Sequence, residues 1–221
     1  ATLNPLFRSR FDNDGTYAEG DCERDFTADN ANRGYGFASF GVTSGKWYWE
    51  VKITTVARAN TGIGDATAIA AFTGPLYDES TSKGFIVNYS GGIEENGTST
   101  SYANSLSDND IVMWALDMDN HRAYYGINGT WQDSGNPTSG STGTGDVTTQ
   151  ISDQSHLNTG EPMFPFCLDA STSGQSNFKW NFGNPPFSIS SGNNDGKYGN
   201  FEYAPPSGFY ALCTKRLAEF G

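Results

Sequence analysis

One segment carries the clearest folding signal of the sequence: Lys46-Trp47-Tyr48-Trp49-Glu50-Val51-Lys52-Ile53. Its odd-numbered positions are all apolar, whereas its even-numbered positions carry Lys, Tyr, Glu and Lys. Because successive side chains of a strand point to opposite faces, this alternation predicts a half-buried antiparallel strand. The turn residues Thr43-Ser44-Gly45 lead into it.

Short apolar runs separated by polar turn residues recur along the rest of the chain. The run 110–117 is apolar on both faces, which predicts a central buried strand, and 122–127 is expected to pair with it as a hairpin. This rhythm predicts an all-β fold, a two-sheet antiparallel sandwich with long polar loops. The stretch 66–72 could instead form one helical turn. Further strands are predicted at Gly36–Gly41, Ile63–Ala71, Gly84–Tyr89, Met163–Asp169, Phe178–Phe182 and Gly208–Thr214.

Composition narrows the classes of partner. The chain has 221 residues, and its 15 Phe, 11 Tyr and 5 Trp predict a core built from aromatic side chains. A net charge of -12 repels phosphate backbones, which argues against nucleic acid as a partner. No apolar stretch reaches the length of about 18 residues that spans a bilayer, so no membrane insertion is expected. Three widely spaced cysteines argue against a disulfide framework and against a zinc site.

The chain is expected to form one domain, because no shift in composition marks a linker. Residues 1–35 are predicted to be an N-terminal extension that packs on a sandwich spanning 36–221. The stretch 133–160 consists almost entirely of Ser, Thr, Gly, Asn and Asp, which predicts a long surface loop or extended arm inserted between strands. A second long loop is predicted from Phe187 to Tyr203.

Five segments occur in order between Gly36 and Gly183: Ser44–Val51, Asp108–Asp119, Tyr125-Gly126-Ile127-Asn128-Gly129, Met163-Phe164-Pro165-Phe166 and Asn181-Phe182-Gly183. Together they resemble the motifs of SPRY domains. The resemblance implies a bent, lectin-like β-sandwich without catalytic machinery, which binds peptides or protein partners through loops at one edge.

The segment from Tyr203 to Thr214, with its Pro-Pro-Ser-Gly-Phe sequence, is similar to SPRY-type modules in tail or virion proteins of phages. This similarity implies a virion or extracellular location and a role in host attachment or virion assembly. The partners would be a protein or glycan on a host surface, or neighbouring virion subunits in a homo-trimer. The ending at Lys215–Gly221 suggests a piece of a longer polypeptide. The alternative is a cytoplasmic SPRY domain, monomeric, that captures a short basic peptide.

The residue pattern gives little evidence of a catalytic site. Both histidines, His121 and His156, lie in polar loop sequence and are expected to be exposed to solvent, and no G-x-S-x-G motif is present. The chain is therefore predicted not to be an enzyme and to need no cofactor. A carbohydrate-active enzyme stays open as a third class through the carboxylate pairs Asp117/Asp119, Glu94/Glu95 and Asp12/Asp14.

Two acidic turns, 12–15 and 193–196, have a composition similar to that of calcium-binding loops. Neither matches the D-x-[DN]-x-[DN]-G pattern with its distal Glu, so both are predicted to be turns. One loosely held Ca²⁺ in an acidic loop is the alternative that stays open.

Aromatic rings beside Asn, Asp and Ser are the strongest remaining candidates for a binding site. Such rings offer flat apolar area to a sugar or peptide with little loss of entropy. The competing interpretation is that they cover the ends of the sandwich. The candidate ligand contacts in loops are Tyr77, Tyr89, Trp131, Tyr198 and Arg58.

Overall fold

The computed structural model describes residues 1–6, 15–26, 34–65, 84–95, 97–151, 154–171 and 174–220. In these ranges the chain forms fourteen strands and one α-helix, α1 (Thr214–Phe220). Among the described residues, no helix is long and apolar enough to cross a bilayer. The strands are β1 (Thr16–Ala18), β2 (Glu23–Asp25), β3 (Gly34–Phe37), β4 (Lys46–Thr55), β5 (Ala59–Asp65), β6 (Gly84–Val87), β7 (Gly92–Glu95), β8 (Thr98–Ser101), β9 (Ile111–Asp117), β10 (Arg122–Ile127), β11 (Thr130–Trp131), β12 (Met163–Asp169), β13 (Asn177–Asn181) and β14 (Tyr210–Ala211).

The strands form two sheets, which confirms the predicted antiparallel β-sandwich. The larger sheet has the order β1-β2-β13-β4-β9-β10-β11, and the smaller sheet has the order β3-β12-β5-β6-β7-β8. The two-residue strand β14 joins the larger sheet as a parallel neighbour of β4, with Tyr210 opposite Trp47. It occupies the first half of β4, while β13 pairs with the second half.

Most predicted strands are present, with boundaries that differ. The 122–127 hairpin pairs with β9 as expected, and β12 has the predicted bounds. The strand predicted at Gly208–Thr214 is wrong beyond two residues, because Thr214 begins α1. Of the strand predicted at Ile63–Ala71, β5 supplies the part up to Asp65. Residues 66–71, and the alternative helical turn at 66–72, lie outside the described residues.

Aromatic rings dominate the core between the sheets, as composition predicted. Trp49 and Trp114 lie on neighbouring strands and stack with ring centroids 6.2 Å apart. The Trp114 indole donates a hydrogen bond of 3.0 Å to the Thr61 hydroxyl on the facing sheet. Tyr125 meets the Trp114 ring edge-on at 5.1 Å. These side chains are buried, so the odd-numbered face of β4 faces the core as the alternation predicted.

The opposite face of β4 differs from its prediction. Tyr48 and Glu50 are both 0% exposed, so the first half of the strand is buried on both sides rather than half-buried. Phe201, Phe209 and Ala211 from the C-terminal segment cover this outer face and form a second apolar cluster with Tyr48. The covering segment follows about 150 residues later in the sequence, so the local alternation of β4 does not predict it.

The described N-terminal residues contribute to both sheets. The hairpin β1–β2 forms one edge of the larger sheet, next to β13. Leu3 is fully buried and pairs with Ala38 beside β3. Phe26 packs edge-on against Phe178 at 5.6 Å.

The Ser/Thr/Gly-rich insert packs against the sandwich, so the prediction of an extended arm is wrong for its described residues. The Val147 amide donates to the Ala123 carbonyl of β10 (2.7 Å). Three apolar side chains, Val147, Ile151 and Leu157, enter the core. Composition alone misses them because they are spaced among polar residues. Four short 3₁₀ turns shape the segment: Gln132–Ser134, Pro137–Thr142, Thr148–Gln150 and Gln154–Leu157.

His156 in this insert is buried, which contradicts its predicted exposure to solvent. Its Nε2 contacts a carboxylate oxygen of Glu95 at the end of β7. The pair joins the insert to the edge hairpin of the smaller sheet. His121 is half-buried and its Nδ1 lies 3.0 Å from the Leu157 carbonyl oxygen.

Candidate functional site

Two of the predicted contact residues, Arg58 and Tyr89, lie at the same end of the sandwich. Arg58 is exposed in the β4–β5 turn, and Tyr89 is half-buried in the β6–β7 turn. The two turns are neighbours because β5 pairs with β6. The Asn60 side chain, two residues after Arg58, accepts a hydrogen bond from the Tyr89 amide (3.2 Å). The structure therefore brings these two candidates onto one surface.

The β6–β7 turn is held in place by the segment that precedes β9. The Leu106 amide donates to the Tyr89 carbonyl (2.8 Å), and the Ala103 amide donates to the Gly91 carbonyl (2.8 Å). Gly91 has φ +88°, and a Cβ atom there would lie 2.0 Å from the Ala103 carbonyl oxygen. Only glycine fits this close approach, so the turn has a fixed conformation.

The Asn88 side chain stabilises the same turn from within. Its Oδ1 accepts hydrogen bonds from the amides of Ser90 (3.0 Å) and Gly92 (2.9 Å) and from the Ser90 hydroxyl (2.9 Å). An Asn that bonds its own turn in this way is a common device for fixing loop geometry. The amide side chains of Asn60 and Asn88 were missed by the sequence analysis. Their signal is the Asn-Tyr-Ser-Gly-Gly sequence at 88–92.

Three further hydrogen bonds join loops at this end. The Val56 amide donates to Asp108 Oδ1 (2.7 Å), which ties the β4–β5 turn to the segment before β9. The Asn128 side chain donates to Asp110 Oδ1 (2.7 Å) from the β10–β11 turn. Ala170 donates to the Arg58 carbonyl (3.1 Å) from the segment after β12. We call this surface the loop end, and it comprises residues 56–58, 88–91, 102–110, 128–130, 170–171 and 174–176.

A buried carboxylate supports the loop end from below. Asp169, at the end of β12, accepts hydrogen bonds from the amides of Ser171 (2.9 Å) and Ser176 (2.9 Å). Burial raises the pKa of Asp169, and these amide hydrogen bonds oppose the rise. The carboxylate thus fixes Ser171 and Ser176, the two ends of the β12–β13 connection that it contacts.

The exposed side chains of the loop end are mainly neutral and polar. Its exposed charged side chains, within the described residues, are Arg58 and Asp108. At fixed positions, this surface can donate hydrogen bonds to a peptide or a polar ligand and accept hydrogen bonds from it. The exposed neutral side chains are those of Ser90, Asn104, Ser105, Ser107, Asn109, Asn128, Thr130 and Gln175.

Two of the other predicted contact residues, Trp131 and Tyr198, lie elsewhere. Trp131 is half-buried on β11, and its ring packs edge-on against Tyr48 at 6.5 Å, so it covers the outer face of the larger sheet. Tyr198 lies near β14, because the Asp195 carboxylate accepts hydrogen bonds from the amides of both Tyr198 and Ala211. Strand β14 pairs with the first half of β4, whereas the loop end begins where β4 ends. Tyr77 lies outside the described residues. The five candidates therefore do not form one site.

Tyr198 is surrounded by cationic side chains. The Lys197 and Lys215 ammonium groups lie 4.8 Å and 5.2 Å from its ring centroid. The Arg216 guanidinium lies 4.9 Å from the same centroid and also pairs with Asp195. Two of these cations, Lys215 and Arg216, belong to α1, so the Tyr198 ring packs against this helix and its contacts stabilise the C-terminal segment.

The carboxylates that were candidates for catalysis or calcium binding make contacts within the fold. Asp117 pairs with the Lys46 ammonium (2.8 Å), and Asp119 accepts from the Gly45 amide (2.7 Å). Both oxygens of Asp195 accept hydrogen bonds from Arg216.

The remaining candidates for catalysis and metal binding also make contacts within the fold or lie outside the described residues. Glu94 accepts a hydrogen bond from the Asn88 side chain. In the described part of the chain, no group of three or more His, Cys, Asp or Glu side chains is placed to hold a metal ion. Residues 12–14 of the other acidic turn lie outside the described residues.

Comparison with known proteins supports the fold. No family model matches the sequence. The structure is similar to the SPRY domain of human HERC1, with a TM-score of 0.53 and 19% identity, over 75% of this chain and 91% of that chain. It is also similar to stonustoxin, with a TM-score of 0.52 and 16% identity, over 81% of this chain and 26% of that chain. The chain thus spans about a quarter of the stonustoxin chain. The SPRY-like β-sandwich inferred from the sequence motifs is confirmed.

Proposed function

We propose that this chain is a non-enzymatic binding module that captures a protein partner through the loop end. The observation that carries the proposal is the set of hydrogen bonds that joins separate loops into one exposed polar surface around Arg58 and Tyr89. Loops that are already fixed lose little conformational entropy on binding. The loop end therefore suits recognition of a ligand by shape and hydrogen bonding.

The charge of the chain favours a basic partner segment. A net charge of -12 attracts cationic ligands over a distance and raises their rate of association. At the loop end, Asp108 is exposed and offers a carboxylate to such a ligand. The half-buried Tyr89 ring offers apolar area beside it. The resemblance to SPRY domains, which bind peptides or protein partners through loops at one edge, supports this assignment.

The finer form of the proposal places the module on a phage or virus surface. Its support is the similarity of the segment Tyr203–Thr214 to SPRY-type modules of virion proteins. The module would then contact a protein or glycan on a host, or a neighbouring virion subunit. In the alternative, a cytoplasmic SPRY domain, the same loop end captures a short peptide. Sedimentation velocity separates the two, because the virion module is expected to be a trimer and the cytoplasmic module a monomer.

A peptide-display selection tests the proposed surface. A random peptide library is selected on the folded chain, and the enriched peptides are then measured against Arg58→Ala, Tyr89→Ala and the control Lys197→Ala. We expect the two loop-end variants to weaken binding at least about tenfold, which is the effect of losing a central interface contact. The control, at the other surface, is expected to bind as the parent does. Enriched peptides that bind all four proteins equally would refute the role of the loop end.

A further inference from the structure

Strand β8 (Thr98–Ser101) is the last strand of the smaller sheet and pairs with β7 on one side. An edge strand carries main-chain N–H and C=O groups that point away from the sheet and can pair with a further strand. Thr98, Ser99 and Ser101 are exposed, so the outer side of β8 is open to solvent. The smaller sheet therefore presents an edge to which an extended segment can add.

The opposite edge of the same sheet is covered by the chain itself. The Asn4 amide donates to the Phe37 carbonyl of β3 (2.8 Å), and Leu3 pairs with Ala38 just after that strand. Among the described residues, β7 is the one strand that pairs with β8. The two edges of the smaller sheet thus differ, and β8 is the open one.

The residues of β8 lack the features that commonly protect an edge, such as lysine, proline or a bulge. The strand reads Thr-Ser-Thr-Ser, and its register with β7 is regular over all four residues. Threonine is a residue that strands favour. Four residues allow only a short ladder of main-chain hydrogen bonds, so a stable complex also requires contacts between side chains.

A cavity of about 200 Å³ beside β8 offers such a contact. It lies below the range of about 300–1,000 Å³ that small-molecule sites occupy, and it suits one side chain of an added strand. Ile93 and Ile151 belong to the main core, so part of the lining is apolar. Glu95 in the lining is already paired with His156. The lining residues are Thr98 and Thr100 of β8, Ile93 and Glu95 of β7, and Gln150 and Ile151 of the insert.

The charge of the chain indicates which kind of segment binds. A net charge of -12 repels a second copy of the chain and attracts a basic partner. Next to the cavity, the exposed Asp133 accepts a hydrogen bond of 3.3 Å from the Gln150 side chain. Among the described residues that line the cavity, none is Lys or Arg. A basic side chain beside the cavity therefore meets a carboxylate and no competing cation.

We propose that β8 binds an extended, basic segment of a partner protein, which adds to the smaller sheet as a further strand. Main-chain hydrogen bonds hold the segment, and the cavity selects one of its side chains, as is usual in strand addition. An apolar side chain of the segment enters the cavity beside Thr100, and a neighbouring Lys or Arg faces Asp133. The edge adjoins the loop end, which begins at Tyr102, but it binds through different groups.

A blocked peptide of sequence Lys-Val-Thr-Val-Lys, added to the ¹⁵N-labelled chain, tests the proposal. We expect saturable shifts and slower hydrogen exchange at the β8 amides at peptide concentrations up to about 1 mM. Alternate residues of a strand direct their N–H groups to opposite sides. Of two peptides, one N-methylated at both valines and one at the threonine, one should therefore bind like the unmodified peptide and the other at least about tenfold more weakly. Replacing both lysines of the peptide with glutamate is also expected to weaken binding at least about tenfold.

A matched pair of variants locates the site on the chain. Thr100→Lys places a cation at the cavity and is expected to weaken binding of the basic peptide at least about tenfold. Thr16→Lys, the same substitution on the edge strand β1 of the larger sheet, is expected to bind as the parent does. If Thr100→Lys does not fold, the methylated peptides decide the question on the unchanged chain.

Three results would overturn the proposal: no response of the β8 amides, equal binding of both methylated peptides, or full affinity in folded Thr100→Lys. A dimer of the chain alone that Thr100→Lys dissociates in sedimentation velocity would also overturn it, because the edge would then bind a second copy. None of these results affects the proposed loop end, which the variants of Arg58 and Tyr89 test separately.

Discussion

Glu50 and Asn181 lie opposite each other on β4 and β13, and the Asn181 side-chain amide donates a hydrogen bond of 3.0 Å to Glu50 Oε2. The same buried carboxylate accepts from the Tyr48 hydroxyl (3.0 Å) and from the amides of Glu202 (3.1 Å) and Tyr203 (2.8 Å). It therefore joins the sheet to the C-terminal segment that covers it. Burial raises the pKa of Glu50, and the four hydrogen bonds oppose the rise.

Replacing Glu50 is expected to destabilise the fold strongly. Glu50→Ala leaves several buried donors without an acceptor, and at about 1–3 kcal/mol for each such donor we expect a loss of about 3–5 kcal/mol in the free energy of unfolding. Urea denaturation measures the loss. Glu50→Gln, which keeps one acceptor oxygen, is the matched control and should lose less. A loss below about 1 kcal/mol for Glu50→Ala would contradict the assigned role.

The pH dependence of stability offers a second test of Glu50. Because its folded pKa lies above its unfolded value, the native state binds the proton more tightly. The contribution of Glu50 to the free energy of unfolding therefore falls as pH rises from about 4 through the folded pKa. Comparing Glu50→Gln with the parent across this range should show the parent losing relative stability as pH rises. An identical pH profile for both proteins would contradict the raised pKa.

Asp195 is expected to show the opposite sign. Burial alone would raise its pKa, but Arg216 and the amides of Tyr198, Ala211 and Lys197 outweigh this and lower the pKa to about 2. The stability that Asp195 contributes is therefore present above about pH 4 and is lost as pH falls toward 2. We expect Asp195→Asn to cost about 2 kcal/mol at neutral pH and to lose its difference from the parent in acid. Denaturant unfolding at several pH values measures this.

The hydrogen bond between Trp114 and Thr61 joins the two sheets and can be isolated by a double-mutant cycle. Trp114→Phe removes the indole donor, and Thr61→Val removes the hydroxyl acceptor while keeping the shape of the side chain. We expect each single change to cost about 1–3 kcal/mol, since it leaves a buried polar group unpaired. The double variant should cost less than the sum of both, with a coupling energy of about 1 kcal/mol. Additive losses would show that the bond contributes no coupling.

Alanine substitutions at two glycines of the insert separate the effect of side-chain crowding on stability from the effect of backbone strain. Gly160 and Gly143 both have positive φ, +79° and +62°, so alanine is strained at either position. A Cβ at Gly143 would lie 2.7 Å from Arg122 Nε and 2.9 Å from Asp146 Oδ2, and these side chains form an ion pair of 3.1 Å. At Gly160 no atom lies within 4 Å of the added Cβ.

Gly143→Ala is therefore expected to cost about 1–2 kcal/mol more than Gly160→Ala, because it displaces a largely buried ion pair as well as straining the backbone. Thermal unfolding of both variants measures the difference. Equal losses at the two positions would mean that the insert adjusts freely around Arg122. Such a result would weaken the finding that this segment packs tightly on the sandwich.

Much of the fold could be predicted because its signals are local. The alternation in 46–53 places Trp49 in the core, and the two-sided apolar run 111–117 becomes the central strand β9. The candidate site could be predicted only in part. Arg58 and Tyr89 share the loop end, but Trp131 covers a sheet face. An exposed aromatic ring and one that covers part of the fold have the same kinds of sequence neighbours, so the sequence does not distinguish them.

The amino-acid sequence by itself determined the long strands β4, β9, β10 and β12, since the period of apolar side chains along a strand is a property of adjacent residues. It also determined that aromatic rings fill the core, because the chain has few other large apolar side chains. Only the tertiary structure decided which segments meet: the burial of His156 against Glu95, the cover over Tyr48, and the facing pair of Lys52 and Lys179. These contacts join residues far apart in the chain, and their energies depend on a register and a burial that exist only after the two sheets have closed.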